Sequence, residues 1–155
     1  MSDLELLNEG LAGEHFGVAA YDAALASGLL DEQTAAVARS FQSDHKFHRA
    51  ALTEQIVARG GTPVAALAAD DYAKKYPQLM SAADVVSYAI ELEAGAARAS
   101  VASVAGYDDR RLAVLAAQIA GVEAQHWSLL LAATGADPVP HPVIEIDDTN
   151  SATAA

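Results

Sequence analysis

A glutamate and a histidine interrupt an apolar stretch late in the chain, residues 119–130 (IAGVEAQHWSLL). Read as a helix, this stretch places Glu123 and His126 on one face with Ile119 and Leu130, because the four residues are spaced by four, three and four positions. Apolar residues at earlier positions of the same phase continue the face, so we expect it to turn inward. A carboxylate and an imidazole three residues apart on a buried helical face are a pair that can bind a metal ion.

Three earlier segments also carry ionisable side chains on stripes that are otherwise apolar. Glu14 interrupts the stripe of the first segment, and Glu93 interrupts that of the third. In the second segment, His45 and His48 interrupt the stripe together. Burial of several unpaired charges is so costly that such groups are normally paired or bind a metal. Because carboxylates and imidazoles converge without thiolates, iron or manganese is favoured, and zinc is an alternative.

Each of these positions also has a simpler explanation when it is taken alone. Glu14 fits a boundary position of a helix, and His45 stands in a polar stretch that would suit a solvated face. Glu91 competes with Glu93, since it lies two residues away on roughly the opposite side of the same helix. We expect Glu93 to face inward, because the face of Glu91 also carries Asp84.

Four helical segments are predicted from the apolar periodicity. Asp31 can cap the second, and either Ser81 or Asp84 can cap the third. The second should stop at Gly60, which suits a left-handed C-cap, and Pro63 blocks its continuation. The expected segments are residues 3–27, 31–59, 81–105 and 109–134, with a long connection over residues 62–80.

Two helical hairpins joined by a long connection describe an all-α fold, an up-down four-helix bundle with one long crossover between helices 2 and 3. We assign residues 1–143 to this bundle. The acidic and then small polar sequence of residues 144–155 predicts an extended or disordered tail. A length of 155 residues suits one domain, and the abundance of alanine suits closely packed helices.

Charge and composition argue against several classes of partner. A net charge of −12, from 21 acidic against 9 basic residues, opposes binding to nucleic acids and to anionic membranes. The chain has no cysteine, which excludes disulfides, Fe–S clusters and thiolate metal sites. No apolar run is long enough to span a membrane, and the acidic start lacks the layout of a signal peptide, so we expect a cytoplasmic protein.

The arrangement resembles the carboxylate-bridged ferritin-like bundles, in which two helices each supply one glutamate and the other two each supply a Glu-x-x-His pair. Glu123 and His126 match the pair on the fourth helix, and Glu14 and Glu93 match the single glutamates. LNEGLAGEHFGVAAY and FHRAALTEQIVARGGTP further resemble the bacterial ferritin-like domain family that includes desiccation-related proteins. The likeness covers about residues 4–143.

The second helix departs from that family pattern. It has His45 and His48 where the pattern has Glu-x-x-His, and Asp44 points about 100° away around the helix. We expect His45 to take the place of the missing glutamate. The expected metal ligands are Glu14, His45, His48, Glu93, Glu123 and His126.

The resemblance implies a ferritin-like metal-binding protein with two iron ions in the bundle core, or with manganese or zinc. Its partners would be oxygen or peroxide. The protein would be a diiron oxidoreductase of oxidase-like or ferroxidase-like type, or a peroxide-protective protein. A homodimer is also expected. The alternative is a metal-free ferritin-like bundle that acts as a stress-related interaction or structural module, which the missing glutamate favours. Tyr21, two turns after Glu14, is interpreted as a core tyrosine with a satisfied hydroxyl, with electron relay as the alternative.

Overall fold

Five helices form within residues 1–146, the part of the chain that the computed structural model describes. Four are long and form a bundle, and one is a short helix in the connection between the second and third long helices. The helices are α1 (Asp3–Ala26), α2 (Glu32–Ala58), α3 (Ala69–Ala73), α4 (Ala82–Val104) and α5 (Arg110–Ala133). None of the helices in this part of the chain is long and apolar enough to cross a membrane. Most of the predicted tail, residues 147–155, lies outside the described residues.

Side-chain caps begin all four long helices. Ser2 and Glu5 form a capping box at α1, in which each side chain accepts from the backbone N–H of the other. Asp31, Ser81 and Asp109 cap α2, α4 and α5 by accepting from a backbone N–H in the first turn. Of the two candidates considered for α4, Ser81 is therefore the capping residue.

The direction of each helix follows from contacts at one end of the bundle. The carboxylate of Asp3, at the start of α1, accepts from the backbone N–H groups of Asp108 (2.8 Å) and Asp109 (3.1 Å), just before α5. Arg59, at the end of α2, pairs with the same Asp109. The start of α1, the end of α2 and the α4–α5 turn therefore share this end. It follows that α1 and α5 run one way and α2 and α4 the other, which confirms the predicted bundle with a long crossover between α2 and α4.

The crossover begins at a glycine and then follows α1. Gly60 has a φ of 72°, a conformation that favours glycine, as expected for the end of α2. The backbone N–H of Val64 donates to the side chain of Asn8 over 2.7 Å. The ring of Tyr72, in α3, packs edge-on against Phe16 with centroids 6.0 Å apart. The connection thus contacts α1 through Val64 and through the buried ring of Tyr72.

Two apolar clusters fill the bundle on either side of its middle. One cluster contains Leu7, Leu11, Leu52, Ile56, Leu112 and Ile119. The other contains Tyr21, Ala38, Phe41 and Leu130. On α1, α2 and α5 the ionisable inward positions fall between these two clusters. The fold therefore places them in a layer across the bundle that apolar clusters close at both ends.

Candidate metal centre

The four long helices bring six ionisable side chains together at the middle of the bundle. All six are buried: Glu14 from α1, His45 and His48 from α2, Glu93 from α4, and Glu123 and His126 from α5. Glu93 and Glu123 are the most enclosed, with 0% of their surface exposed. Glu91 is exposed, so Glu93 is the glutamate of α4 that faces inward.

The six side chains form two overlapping sets, each of which can surround one metal ion. Within a set, one candidate ligand atom from each residue lies within 4.8 Å of the others. The sets are Glu14, His45, His48 and Glu123, and His45, Glu93, Glu123 and His126. His45 and Glu123 belong to both sets, so the two sets lie side by side in the core.

Three buried polar atoms of the centre lack a hydrogen-bond partner among residues 1–146. They are both carboxylate oxygens of Glu123 and the Nδ1 atom of His48. His48 Nδ1 lies 3.0 Å from Glu123 Oε1, but the two groups are not aligned for a hydrogen bond. Glu123 thus faces the imidazoles of His45, His48 and His126 at 3.0–3.5 Å without an aligned hydrogen bond to any of them, and a metal ion among these groups would satisfy its oxygens directly. These residues therefore fit a bound metal.

His126 is held on both sides of its ring. Its Nδ1 atom lies 3.2 Å from Glu93 and 3.3 Å from Glu123, whereas its Nε2 atom lies 3.1 Å from the carboxylate of Asp44. Phe41 stacks on the ring, with centroids 3.9 Å apart. Metal-binding histidines usually donate their second ring N–H to such a carboxylate, which fixes the ring and its tautomer. Asp44 lies outside the two sets, but it supports the centre through His126, a role that the sequence analysis missed.

The glutamates of the centre favour the charged form of its three imidazoles. Burial by itself would lower the pKa of His45, but hydrogen bonds to Glu14 and Glu93 outweigh burial and raise the pKa to about 11. Burial likewise acts to lower the pKa of His48 and of His126, and the neighbouring glutamates raise each pKa to about 9. Without a metal, the centre therefore contains three imidazolium groups that face the glutamates.

The same contacts stabilise the ionised form of two glutamates. Burial acts to raise the pKa of Glu14 and of Glu93, but the imidazoles that face them lower each pKa below its ordinary value of 4.5. Tyr21 donates its hydroxyl to Glu93. Burial and the charge of this carboxylate raise the pKa of Tyr21 well above its ordinary value. Tyr21 is thus a protonated core tyrosine with a satisfied hydroxyl, the simpler of the two interpretations of this residue.

The approach of α1 to His45 depends on a glycine. A Cβ atom at Gly17 would lie 3.0 Å from His45 Nδ1 and 3.1 Å from Cε1, closer than nine in ten real Cβ contacts. The imidazole ring therefore occupies space that any other residue at position 17 would need. Apolar periodicity does not reveal this requirement, because it depends on the distance between α1 and α2.

A groove between α1 and α4 reaches the centre from the surface. Its volume is about 450 Å³, and its lining includes Glu14 and His45. Gly13 and Gly95 also line it, and a Cβ atom at either glycine would meet no atom within 4 Å. The exposed Glu91 lies along the same groove. Small molecules and cations thus have a route to one edge of the buried centre.

A bundle with one long crossover and a buried centre of histidines and carboxylates defines a class of helical proteins that can bind metals. The family described as ferritin-like domain matches residues 2–151, so the chain belongs to the ferritin-like domain family, which confirms the resemblance seen in the sequence. Among solved structures, the chain is similar to a conserved hypothetical protein from Mycobacterium tuberculosis, with 23% identity and a TM-score of 0.72. The similarity covers 83% of this chain and 94% of that one, and it shows a shared fold. No curated protein matches the chain.

Proposed function

We propose that the chain is a metal-binding protein whose core holds two neighbouring ions. The observation that carries this proposal is the pair of overlapping ligand sets in which Glu123 is shared and both of its buried oxygens lack hydrogen bonds. A carboxylate in that position is poised to contact cations on both sides. Iron is the metal we favour, and manganese or zinc are the alternatives, because carboxylates and imidazoles without thiolates suit these ions.

Each residue of the centre has a distinct place in the proposal. Glu14 and His48 would contact one ion, and Glu93 and His126 the other. The two oxygens of Glu123 could serve both ions, whereas His45, neutral when bound, would bind one of them through a single nitrogen. Iron or manganese bound there would supply redox chemistry with oxygen or peroxide, in an oxidase-like, ferroxidase-like or peroxide-protective role. Asp44 orients His126, Tyr21 fixes Glu93, and the apolar clusters exclude bulk water.

Elemental analysis of protein purified without chelator and then exposed to iron(II), manganese(II) or zinc(II) tests the proposal. We expect about two ions per chain, the number implied by two ligand sets. Glu123→Ala or His126→Ala should remove most of the bound metal. Glu54→Ala is the matched control, because this exposed residue lies outside both sets and outside the groove and should leave metal content unchanged. A wild-type protein that retains none of the three metals contradicts the proposal.

One observation favours the second candidate, a metal-free bundle that acts as a stress-related interaction or structural module. The acids and imidazoles of the centre also pair with one another: His45 lies 2.8 Å from Glu14, and His126 lies 3.2 Å from Glu93. These pairs can compensate the buried charge without a metal. Under this alternative, chelator treatment leaves the melting temperature unchanged and no metal is retained.

The expected homodimer stays a prediction, and light scattering of the purified protein measures it directly. A monomeric mass over the concentration range of the metal-binding experiments would contradict it.

A further inference from the structure

The two ligand sets of the centre compete for one side chain, His45. Glu123 has two oxygens and can give one to each metal position. A neutral imidazole carries a proton on one nitrogen and has only the other nitrogen free for a metal. The position that receives this nitrogen therefore has four protein ligands, and the other position has three.

The two nitrogens of His45 make contacts of different length. Nδ1 lies 2.8 Å from Glu14 Oε2, the length of a normal hydrogen bond, whereas Nε2 lies 3.4 Å from Glu93 Oε1, beyond the usual range. Ligands of a tetrahedral ion lie about 3.3–3.6 Å apart, because metal–ligand distances are about 2.0–2.2 Å. Nε2 thus has the spacing of a metal ligand, while Nδ1–H stays bonded to Glu14.

The other donor atoms on the Nε2 side of His45 are spaced in the same way. His126 Nδ1 lies 3.2 Å from Glu93 Oε2 and 3.3 Å from Glu123 Oε2. Together with His45 Nε2, these residues form what we call the closed position, which has two imidazoles and two carboxylates. Four protein ligands of this kind complete the coordination of a tetrahedral ion such as zinc(II).

Three members of the closed position are also held by an outer partner. Metal-binding histidines usually donate their second ring N–H to a carboxylate, and ligand carboxylates are hydrogen-bonded in turn. The outer contacts are those of His45 with Glu14, His126 with Asp44, and Glu93 with Tyr21. Loss of one such partner typically lowers metal affinity about 10- to 100-fold, so the closed position should be the tighter of the two.

The second position, which we call the open position, has three protein ligands. His48 Nδ1 lies 3.5 Å from Glu14 Oε1 and 3.0 Å from Glu123 Oε1. Within the described chain, His48 Nδ1 and Glu123 Oε1 are buried without a hydrogen-bond partner. Glu14 also lines the groove between α1 and α4, which connects this position with the surface. A metal with three protein ligands can accept a small molecule as the fourth.

We propose that the two metal positions are unequal and that His45 makes them so. The closed position binds the first ion tightly. The open position binds the second ion more weakly, and that ion takes a small molecule or anion from the groove as a further ligand. A glutamate in place of His45 would have an oxygen for each ion and would not create this difference. The inference rests on the proposed two-ion function and adds which ion His45 serves.

Calorimetric titration of chelator-treated protein with zinc(II) tests whether the positions differ. We expect two steps whose affinities differ by more than about tenfold, because even an outer partner is worth at least that factor. His126→Ala should remove the tighter step, whereas His48→Ala should remove the weaker step and leave the tighter one. Asp44→Ala should weaken the tighter step alone, and it takes the place of His126→Ala if that variant does not fold.

The result separates this inference from the function on which it rests. Two steps of equal affinity, or loss of the tighter step in His48→Ala, would overturn the inequality and leave the proposed metal-binding function intact. A wild type that binds none of zinc(II), iron(II) and manganese(II) would overturn both.

Nitrogen-15 NMR of protein labelled in its histidines identifies the nitrogen that each imidazole gives to the metal. With one equivalent of zinc(II), His45 should bind through Nε2 and keep its proton on Nδ1, and His126 should bind through Nδ1. His48 should respond only to the second equivalent. A zinc-bound Nδ1 of His45, or a response of His48 to the first equivalent, would contradict the assignment.

Cobalt(II) and azide test the open position. Cobalt(II) serves as a substitute for zinc(II) whose visible absorption depends on its ligands, and azide is a small anion that binds metals with a free coordination position. We expect azide to change the spectrum of protein loaded with two equivalents of cobalt(II), but not that of protein loaded with one. The variant His48→Ala should show no change. An equal response at one equivalent would mean that the first position is not closed.

Discussion

His45 stands where the two halves of the centre meet. Its Nδ1 atom faces Glu14 at 2.8 Å, and its Nε2 atom faces Glu93 at 3.4 Å. A glutamate in the same place would offer oxygens alone and could not balance these acids as a cation. Because this chain has a histidine where the family pattern has a glutamate, the metal-free centre gains a positive charge that a carboxylate could not supply. In a loaded centre, the neutral imidazole would leave the site one charge more positive than a glutamate would.

The variant His45→Glu separates these two effects. Without metal, the new carboxylate would lie among Glu14, Glu93 and Glu123, so the melting temperature of the chelated protein should fall. With metal, the added negative charge favours the higher oxidation state, so metal occupancy and the rate of aerobic iron(II) oxidation should both rise. His45→Gln is the control, because it removes the imidazole without adding charge. An oxidation rate no faster than that of the wild type would show that His45 does not occupy the glutamate position.

The raised histidine pKa values predict how the stability of the metal-free protein depends on pH. The pKa values of His45, about 11, and of His48 and His126, about 9, exceed the ordinary 6.5, so these groups stabilise the fold fully below pH 6.5 and lose this effect as the pH rises. Glu14 and Glu93 have lowered pKa values and act in the other direction, so their contribution is lost as the pH falls through the acid range. Metal-free protein should therefore melt highest between about pH 4.5 and 6.5.

Metal binding requires neutral imidazoles and releases protons, so metal affinity should rise with pH. We expect the difference in melting temperature between loaded and chelated protein to widen from about pH 6 to about pH 9. Scanning fluorimetry across this range measures both forms in parallel. A difference that stays constant or narrows would mean that the three histidines do not lose protons to a metal.

Asp44 acts on the centre through the outer nitrogen of His126. Its side chain is 47% exposed, so its contact with Nε2 is a support of the ring rather than a buried ion pair. Loss of such a supporting carboxylate typically lowers metal affinity about 10- to 100-fold. Asp44→Ala should have this effect in competition titrations with a metal indicator. Glu54→Ala, an exposed acid on the same helix, is the control, and equal affinities in the two variants would contradict the role of Asp44.

At the scale of the helices, sequence periodicity predicts which side chains share a face but not how close the faces come. Glu14, Glu93 and Glu123 follow from stripes of helical spacing, because an ionisable residue on an apolar stripe must lie in the core. The contact of Asp44 with His126 depends on the rotation of α2 against α5, and the need for Gly17 depends on the separation of α1 and α2. Neither quantity is encoded in the pattern of a single helix.

The crossover shows a similar limit. Residues 62–80 were predicted as one long connection, and the structure places the five-residue α3 within it. So short a segment carries too few apolar positions to show a helical period. Its position depends on tertiary contacts, such as the packing of Tyr72 against Phe16, which local sequence cannot specify.

Two glycines of α1 allow a matched test of helix spacing. Alanine in a helix is about 1 kcal/mol more stable than glycine, so Gly13→Ala, which meets no atom within 4 Å, should raise the melting temperature by roughly 2 to 4 °C. Gly17→Ala places its methyl group 3.0 Å from His45 Nδ1, so the ring must shift. We expect Gly17→Ala to lose this gain and to lower metal occupancy, as measured by elemental analysis. Equal melting temperatures and metal contents in the two variants would contradict the close approach.

At the scale of the whole molecule, the centre spans all four long helices. Its acids and imidazoles lie between two apolar clusters, and within the described chain the groove beside Glu14 and His45 is the route by which water reaches their edge. Buried pairs of this kind contribute little net stability, because desolvation offsets their attraction. The largest available gain in stability would therefore come from a cation that binds the folded chain and not the unfolded one.

This linkage predicts how the whole fold responds to metal. At a free metal concentration of about 100 times Kd, binding to the folded state adds about 2.7 kcal/mol per site. For a domain of this size, 1 kcal/mol moves the melting temperature by roughly 2 to 4 °C, so one occupied site should raise it by roughly 5 to 11 °C. Calorimetry with and without chelator measures the shift, and Glu123→Ala should abolish it. Glu123→Ala also takes an acid away from the imidazoles of His48 at 3.0 Å and His126 at 3.3 Å, so its chelated form should melt lower than chelated wild type, and the test is the shift on adding metal within each protein. If neither metal nor chelator changes the melting temperature of the wild type, the metal-free bundle is favoured, in which the imidazoles alone balance the buried acids.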